Sequence, residues 1–473
     1  MSSTADVVVI GAGPAGQMAA AHAAELGART VLVSQHSYGG MAANDGPVPV
    51  RTLAHTAYLM RNARQLGQYG VVINEPALDY QQLLGRVAEV TRDVREQTTL
   101  RTLIESHGGL IQENTGPIRF QDAHNIVTET GLRLHSEKFI VCTGGVSKKL
   151  PIPGFEHTST HSDAWSLTAV PPSMIVVGCG ATGAQVASVF NTFGTHVEMF
   201  EATPHILPTE DADVAAAVAA AFQQEGITVR ENFGSIDSFE ATRAGVRMMF
   251  TKDGNRETAE AALAVVAVGW GADTDALQPS AAGVEVTRRR FLQVNEYLQT
   301  SAPHIFAGGD VTGRVMLASE AMRDGFVAAT NAVHGPQLPV TDHLVPAGSF
   351  TDPEYASVGL TEQKARETHN VITAVSYYRA SVRAMIDGHS TGFCKLIVDQ
   401  ATAEILGCHV VGEQATDVVQ VASMALAAGM RRVDDLARAA VSFPTYAEIL
   451  IATAVRAAEK LNLEIGWRTH YTA

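Results

Sequence analysis

Residues Asp6 to Gly16 read Asp-Val-Val-Val-Ile-Gly-Ala-Gly-Pro-Ala-Gly, and this stretch limits what the rest of the chain can become. Its four β-branched residues in a row predict a buried strand. Gly11, Gly13 and Gly16 form GxGxxG, and the Ala-rich run Gln17–Gly27 predicts the helix behind it. In a strand–turn–helix setting the first glycine permits the tight turn, the second lets backbone approach a pyrophosphate, and the third lets helix pack on strand. The helix start then offers unpaired N–H groups and a positive dipole end to the anion. A Gly-rich turn with no ligand is the plain alternative; the setting points to a dinucleotide-binding unit.

The unit occurs twice. Met174-Ile-Val-Val-Gly-Cys-Gly-Ala-Thr-Gly183 is again strand plus GxGxxG, through Gly178, Gly180 and Gly183, and Ala184–Phe193 predicts its helix. The second strand of the first unit, Thr30-Val-Leu-Val33, ends at Ser34, 23 residues past Gly11. That of the second, Val197–Glu201, ends at Glu201, 23 residues past Gly178. An acid at this point holds a ribose hydroxyl and repels a 2′-phosphate. Glu201 therefore points to NADH over NADPH, no Arg or Lys following within several residues, whereas the uncharged Ser34 predicts a weaker ribose contact in the first unit. A solvated surface acid is the alternative for Glu201.

At 473 residues the chain should hold about three domains of ~150 each. Its net charge of −15 argues against nucleic acid and anionic membrane as partners, since both need basic surface. No apolar run reaches the ~20 residues of a membrane span, and the first strand begins too early to leave room for a signal peptide. The four cysteines (Cys142, Cys179, Cys394, Cys408) stand far apart without CxxC or metal-like spacing, so buried, inert thiols, no metal site and a reducing cytoplasm are expected.

Along the chain, Gly39–Arg51 reads as a Gly/Pro loop leading into a helix near Thr52–Arg64. Asp79 to about Glu105 reads as one long amphipathic helix, with Leu83, Val87, Val90 and Val94 on a stripe. Glu137–Gly145 is a strand ending in a Gly turn, and Pro151, Pro153 and Gly154 mark a linker. Leu263–Val268 is a strand ending at Gly269, and Ser301–Val311 is a strand closed by Gly-Gly-Asp310. After Leu338, strands at Ala356–Leu360, Cys394–Val398 and Ile405–Val411 mix with helices at Ala415–Ala428, Val433–Arg438 and Tyr446–Leu461, an α+β domain.

Taken together, the two GxGxxG units, Thr143-Gly144, Gly309-Asp310, Thr351–Leu360, Glu404–Gly407 and Pro444–Glu448 resemble the FAD-dependent pyridine nucleotide–disulfide reductases, the dihydrolipoamide dehydrogenase and glutathione reductase group, over nearly the whole chain. The resemblance implies an α/β fold with two Rossmann-like domains, for FAD and NAD, and a C-terminal α+β dimerisation domain. The corresponding ranges are 1–150 and 279–340 for FAD, 151–278 for NAD and 341–473 for dimerisation. It further implies a homodimer. The first GxGxxG, Ser34, Gly40, Thr143, Gly144, Met316 and Ala318 would line FAD, backbone near Ile118 would contact adenine, and Asp310 would hold the ribityl chain. Gly178, Gly180, Gly183, Glu201 and Gly269 would hold NADH.

The departures from that pattern decide the expected chemistry. The family's two redox cysteines correspond to Ala42 and Pro47, which form neither thiolate nor disulfide. Its proton-shuttling His corresponds to Phe443, which has no titratable group. Arg51 replaces a Lys that in the family pairs with a Glu, and that Glu is Gln185 here. The arginine charge is then less compensated, which is expected to favour a negatively charged flavin and raise its potential. An ordinary surface arginine is the alternative for Arg51. Ala181 stands in place of a bulkier gate, implying open nicotinamide access.

The similarity to Phe443–Glu448 and Leu317–Ala321 is greatest among soluble pyridine nucleotide transhydrogenases, although the loop after Gly39 departs from them. The leading expectation is an NADH oxidoreductase in which FAD passes electrons directly to a small acceptor such as a quinone, between Ala42, Pro47 and the partner subunit's Phe443, Tyr446 and Glu448. Glu448 is the candidate proton donor, with a backbone-bracing role as the alternative. Transhydrogenation, a specialised step on another organic substrate, and a flavin-binding scaffold without turnover remain the other readings.

Overall fold

The computed structural model describes residues 2–272, 274–341 and 344–468. The end of the expected dimerisation range, 469–473, lies outside them. The first sheet is built on Ser2–Ile10, with Thr30–Val33 and then Leu110–Gln112 parallel on one side and Arg133–Val141 parallel on the other. Ile305–Ala307 pairs in parallel with Arg133–Val141, so the chain returns to this sheet after the second unit. Asn125–Thr128 and Ile118–Phe120 extend it antiparallel.

The second unit has four parallel strands in the order Thr228–Arg230, His196–Phe200, Ser173–Val177, Leu263–Val266, flanked by an antiparallel three-stranded sheet, Ser235–Ala241, Val246–Lys252 and Asn255–Ala261. Gly145–Ser147 and Trp270–Ala272 pair as a two-stranded connection between the units. The last part is a five-stranded antiparallel sheet covered by Ala415–Ala427, Val433–Arg438 and Glu448–Lys460.

Two sequence expectations are corrected. The 39–51 stretch is helical, not loop: Gly40–Asn44 forms one short helix and Pro47–Gln65 a long one. Proline suits the first turn, where its missing N–H has no intrahelical partner. Val50, Leu53, Ala54 and Ala57 are buried at helical spacing, which draws the long helix back to Pro47. The Asn44 amide donates to the Tyr38 and Gly40 carbonyls at 3.1 and 2.9 Å and closes the short helix. Second, the 79–105 helix is two helices, Tyr80–Glu96 and Thr99–Ser106. Leu83 packs with Leu53, Trp165 and Phe190, whereas Ile104 packs with Val7, Leu32 and Ala23. One straight helix cannot face both cores, and the break falls between them; Val94 stays exposed.

Two charged clusters tie the C-terminal sheet to the rest. Lys395 is only 2 % exposed, and its ammonium lies 2.8, 2.6 and 2.6 Å from Asp211, Asp213 and Glu362. Asp211 caps the helix Ala212–Gln224 of the second unit. Burial alone would push the Asp211 carboxyl up, but bonds from Lys395 and the Glu362 N–H outweigh it and hold it low. The other seam lies along Pro47–Gln65: Arg61 pairs with Asp352 at 2.6 Å, and the Arg51 guanidinium sits 3.0 Å above the Phe350 ring. Behind Phe350, Glu354 is pushed up to about 7, first by burial and then by Glu413, with the Thr416 N–H and Arg51 acting the other way.

Removing one partner from a buried ion cluster strands the others without compensation. Lys395→Met is expected to cost about 3–5 kcal/mol, read as a lowered thermal midpoint; an unchanged midpoint would remove the clamp from the account. The held-down Asp211 contributes stability that is present above its ordinary value and lost as pH falls through its lowered one. Glu354 runs opposite: a raised carboxyl favours the fold below its ordinary value and ceases to as pH rises through about 7. Glu354→Gln is therefore expected to match the parent near about pH 5 and to exceed its stability near about pH 9, by at most about 3 kcal/mol. Thermal melts at the two pH values check the crossing.

Candidate active site

Both glycine turns are built for close approach. A Cβ at Gly16 would lie 1.7 Å from the Gly11 carbonyl oxygen, and one at Gly183 would lie 2.0 Å from that of Gly178. Each helix, Pro14–Glu25 and Ala181–Thr192, therefore starts directly against the strand before it. The helices begin three residues earlier than the sequence reading placed them, so their first N–H groups face the turn. Gly40, at φ +56°, stands against Gly13, where a Cβ would meet the Gly13 Cα at 2.4 Å. Gly180 and Gly269 have nothing within 4 Å of a built Cβ, which leaves open space at the second turn.

The residues around the first turn fit FAD. The Thr143 hydroxyl is buried without a hydrogen-bond partner. Gly144 faces open space. Asp310 follows Gly309, whose N–H donates to the buried Asp324 carboxylate at 3.0 Å. Burial, and next the Asp324 charge, raise the Asp310 carboxyl, as expected of an acid that lacks donors of its own. Ser34 is buried, its N–H on the Gln112 carbonyl and its own carbonyl accepting from the Thr115 N–H and hydroxyl, both at 3.1 Å. Ile118 opens a short strand with its side chain in the core. Met316 and Ala318 flank the start of the helix Ala318–His334, Met316 partly buried and Ala318 exposed.

Glu201 is buried, not a solvated surface acid. One carboxylate oxygen accepts the Cys179 N–H at 2.8 Å, and the other accepts from the Thr203 N–H and hydroxyl, both at 2.9 Å. A carboxylate oxygen takes two such bonds, so one acceptor position is left for a ribose hydroxyl. Arg230 on the adjacent strand is the basic neighbour that the linear spacing hid, and it is paired with Glu198 at 3.2 Å.

Other expectations need correction. Arg51 and Gln185 make no ion pair or hydrogen bond with each other: the Gln185 amide donates to the Ala181 carbonyl of its own helix at 3.1 Å, while Arg51 stacks on Phe350. Burial lowers the Arg51 pKa, and Glu354 and Asp417 oppose that, so the charge is compensated from the C-terminal part. A guanidinium is longer than an ammonium and stacks on rings, which is what carries it there. Tyr446 is not wall material in this chain. It lies in the C-terminal core, 4 % exposed, its hydroxyl donating to Asp387 at 3.0 Å. Phe443 is 63 % exposed, and Glu448 begins the helix Glu448–Lys460. Ala42 lies within Gly40–Asn44, and Pro47 is exposed at the start of the next helix.

All four cysteines are buried and free. Burial is the main cause raising the thiols of Cys142, to about 12, and Cys179, well above the ordinary value. No described helix is long and apolar enough to cross a membrane, and no described His, Cys, Asp and Glu side chains group as metal ligands. The sequence reading missed one polar chain. Ser162 donates to Asp45 at 2.5 Å, the His161 Nε2 lies 3.3 Å from the Ser162 Oγ, and the His161 Nδ1 lies 3.0 Å from the Ser147 Oγ. Its members stand 116 residues apart in sequence, from Asp45 to His161, and no spacing signals them.

Comparison with known proteins agrees with this geometry. The family pattern described as pyridine nucleotide-disulphide oxidoreductase matches residues 5–325, and that of its dimerisation domain matches residues 345–454. A dihydrolipoyl dehydrogenase of Thermus scotoductus is 33 % identical over 466 residues, covering 95 % of this chain and 97 % of its own. A mercuric reductase of Lysinibacillus sphaericus is 30 % identical over 446 residues, covering 94 % and 81 %. The solved structure of the HOCl-induced flavoprotein disulfide reductase RclA from Escherichia coli superposes with a TM-score of 0.83 at 25 % identity, over 95 % of this chain and 99 % of that one. Members of the family use FAD and NAD(P)H. With matches spanning both nucleotide units and the C-terminal sheet, the chain belongs to the FAD-dependent pyridine nucleotide–disulphide oxidoreductase family.

Proposed function

We propose that this protein is a homodimeric NADH oxidoreductase that uses FAD to reduce a small planar acceptor such as a quinone directly, without a redox disulfide. One observation carries the reading: an alanine and a helix-starting proline, Ala42 and Pro47, occupy the segment where a dithiol would act, and every cysteine of the chain is buried elsewhere. A thiol raised by burial is neither a nucleophile nor a ready electron carrier.

FAD, when bound, supplies a ring that takes hydride from NADH and gives electrons to an acceptor. The protein's part is binding and exclusion. The Gly11–Gly16 turn and Gly40 would seat the pyrophosphate, Thr143 and Asp310 would take hydroxyls of the linker, and the turn at Gly178–Gly183 would seat NADH. Glu201 would offer its remaining acceptor position to a ribose 2′-OH, a contact that a 2′-phosphate cannot make. The wall at Ala42 and Pro47 is small and mostly apolar, which suits a flat acceptor. Phe443, exposed in one chain, would complete that wall from the partner subunit.

Anaerobic stopped-flow mixing tests this. NADH is expected to bleach the bound flavin at least about tenfold more effectively than NADPH, a difference of about 1.4 kcal/mol, and quinones are expected to restore the colour rapidly. Bleaching with no restoration by quinones would overturn the acceptor, and restoration by NADP+ instead would favour transhydrogenation. Glu201→Gln keeps one acceptor oxygen, sets an amide NH2 toward the other set of donors, and loses the charge. It is expected to bring NADH and NADPH to near parity; an undiminished preference would take the discrimination away from Glu201.

A further inference from the structure

The four-residue polar chain around His161 has a direction. At one end the Ser162 hydroxyl donates to the Asp45 carboxylate. The Ser162 oxygen is then the acceptor for an N–H at Nε2 of His161, which leaves Nδ1 with its lone pair toward Ser147, and Ser147 donates. Every hydrogen bond thus points the same way, from Ser147 to Asp45.

Its two ends lie at different parts of the site. Asp45 sits in the turn between Gly40–Asn44 and Pro47–Gln65, between Ala42 and Pro47. Ser147 ends the strand that follows Thr143 and Gly144 and pairs with Trp270–Ala272, and neighbouring Gly145 backs onto Asp310. His161 between them is 5 % exposed and rests edge-on against Trp270, ring centroids 4.7 Å apart. Its place is fixed by a capping box in which the Thr160 N–H and hydroxyl donate to Asp163 at 2.7 and 2.9 Å.

The reaction proposed above consumes a proton: NADH, a quinone and H+ give NAD+ and a hydroquinone. NADH supplies two electrons and one proton as hydride, so the second proton must come through the protein. Phe443 has none to give. We propose that Ser147, His161, Ser162 and Asp45 form a proton relay that delivers this proton at the Asp45 end, an assignment that rests on the direct-transfer reading. Asp45 takes the Ser162 proton and passes it on, the new Asp45 O–H bond breaking as the acceptor O–H bond forms. Ser162 is reprotonated from the His161 Nε2, Nδ1 takes a proton from Ser147, and Ser147 takes one from water. One proton moves the length of the chain and no electron moves with it. Burial holds the His161 imidazole below its ordinary pKa, and the carboxylates facing it, Asp45 and Asp163, oppose this, so it is a neutral carrier able to take a proton and pass it on.

The test compares two acceptors on NADH-reduced holoenzyme: benzoquinone, which needs a proton, and ferricyanide, which needs none. In His161→Gln and Asp45→Asn the benzoquinone rate, divided by the ferricyanide rate of the same variant, is expected to fall at least about tenfold and to lose the parent's pH dependence. An unchanged ratio in both variants would overturn the relay. Ser162→Ala, at a half-buried position, carries the same test should His161→Gln not fold. If benzoquinone fails to oxidise the parent protein, the acceptor reading falls and the relay is judged by 15N NMR of the His161 ring. There Asp45→Asn must alter the tautomer or its titration, and an unaltered ring overturns the relay.

Discussion

Two backbone contacts without a side chain between them carry the cofactor geometry of this molecule. At Gly16 and again at Gly183 the helix lies so close to the preceding turn that no β-carbon could be inserted. The consequence is electrostatic as much as steric. Only a helix that begins against the strand end aims its unpaired N–H groups at the space above the sheet, where a diphosphate can be held by backbone alone. Nothing in such a site depends on a titratable side chain, and so a strongly acidic chain can still bind two anionic nucleotides.

Much of this was legible because the signals are local. A strand, a glycine turn and an alanine-rich helix declare themselves within about thirty residues, and the C-terminal elements were readable from their alternation of strand and helix patterns. The reading erred where tertiary packing outweighed local signals. Pro47 and Pro49 look like loop residues until Val50, Leu53, Ala54 and Ala57 are seen to share one buried face. The 79–105 stripe is continuous in sequence, but the two cores it meets are not on one line. Arg51 and Tyr446 were placed by correspondence with a family pattern, which gives a position along the chain and not a direction for the side chain. Phe350 lies 299 residues from Arg51 and Asp387 lies 59 from Tyr446, beyond the reach of any local signal. The Asp45–His161 chain was invisible for the same reason.

Charge at the seam beside the site is arranged through distance and burial, not simple pairing. Arg51 gives its planar face to Phe350, while Glu354 and Asp417 act on it through space. A cation held this way is less available to a flavin than a short ammonium would be.

The buried Lys395 has a bearing on traffic through the enzyme. Its three carboxylates come from both sides of a boundary, Asp211 and Asp213 from the nucleotide-binding half and Glu362 from the short helix Glu362–Thr368 of the part whose sheet carries Lys395. A hinge there would have to part the buried Lys395 and Asp211, so the two bodies are riveted rather than jointed. The open space beside Gly180, where a β-carbon would meet nothing within 4 Å, then belongs to a frame pinned at a distance by these charges.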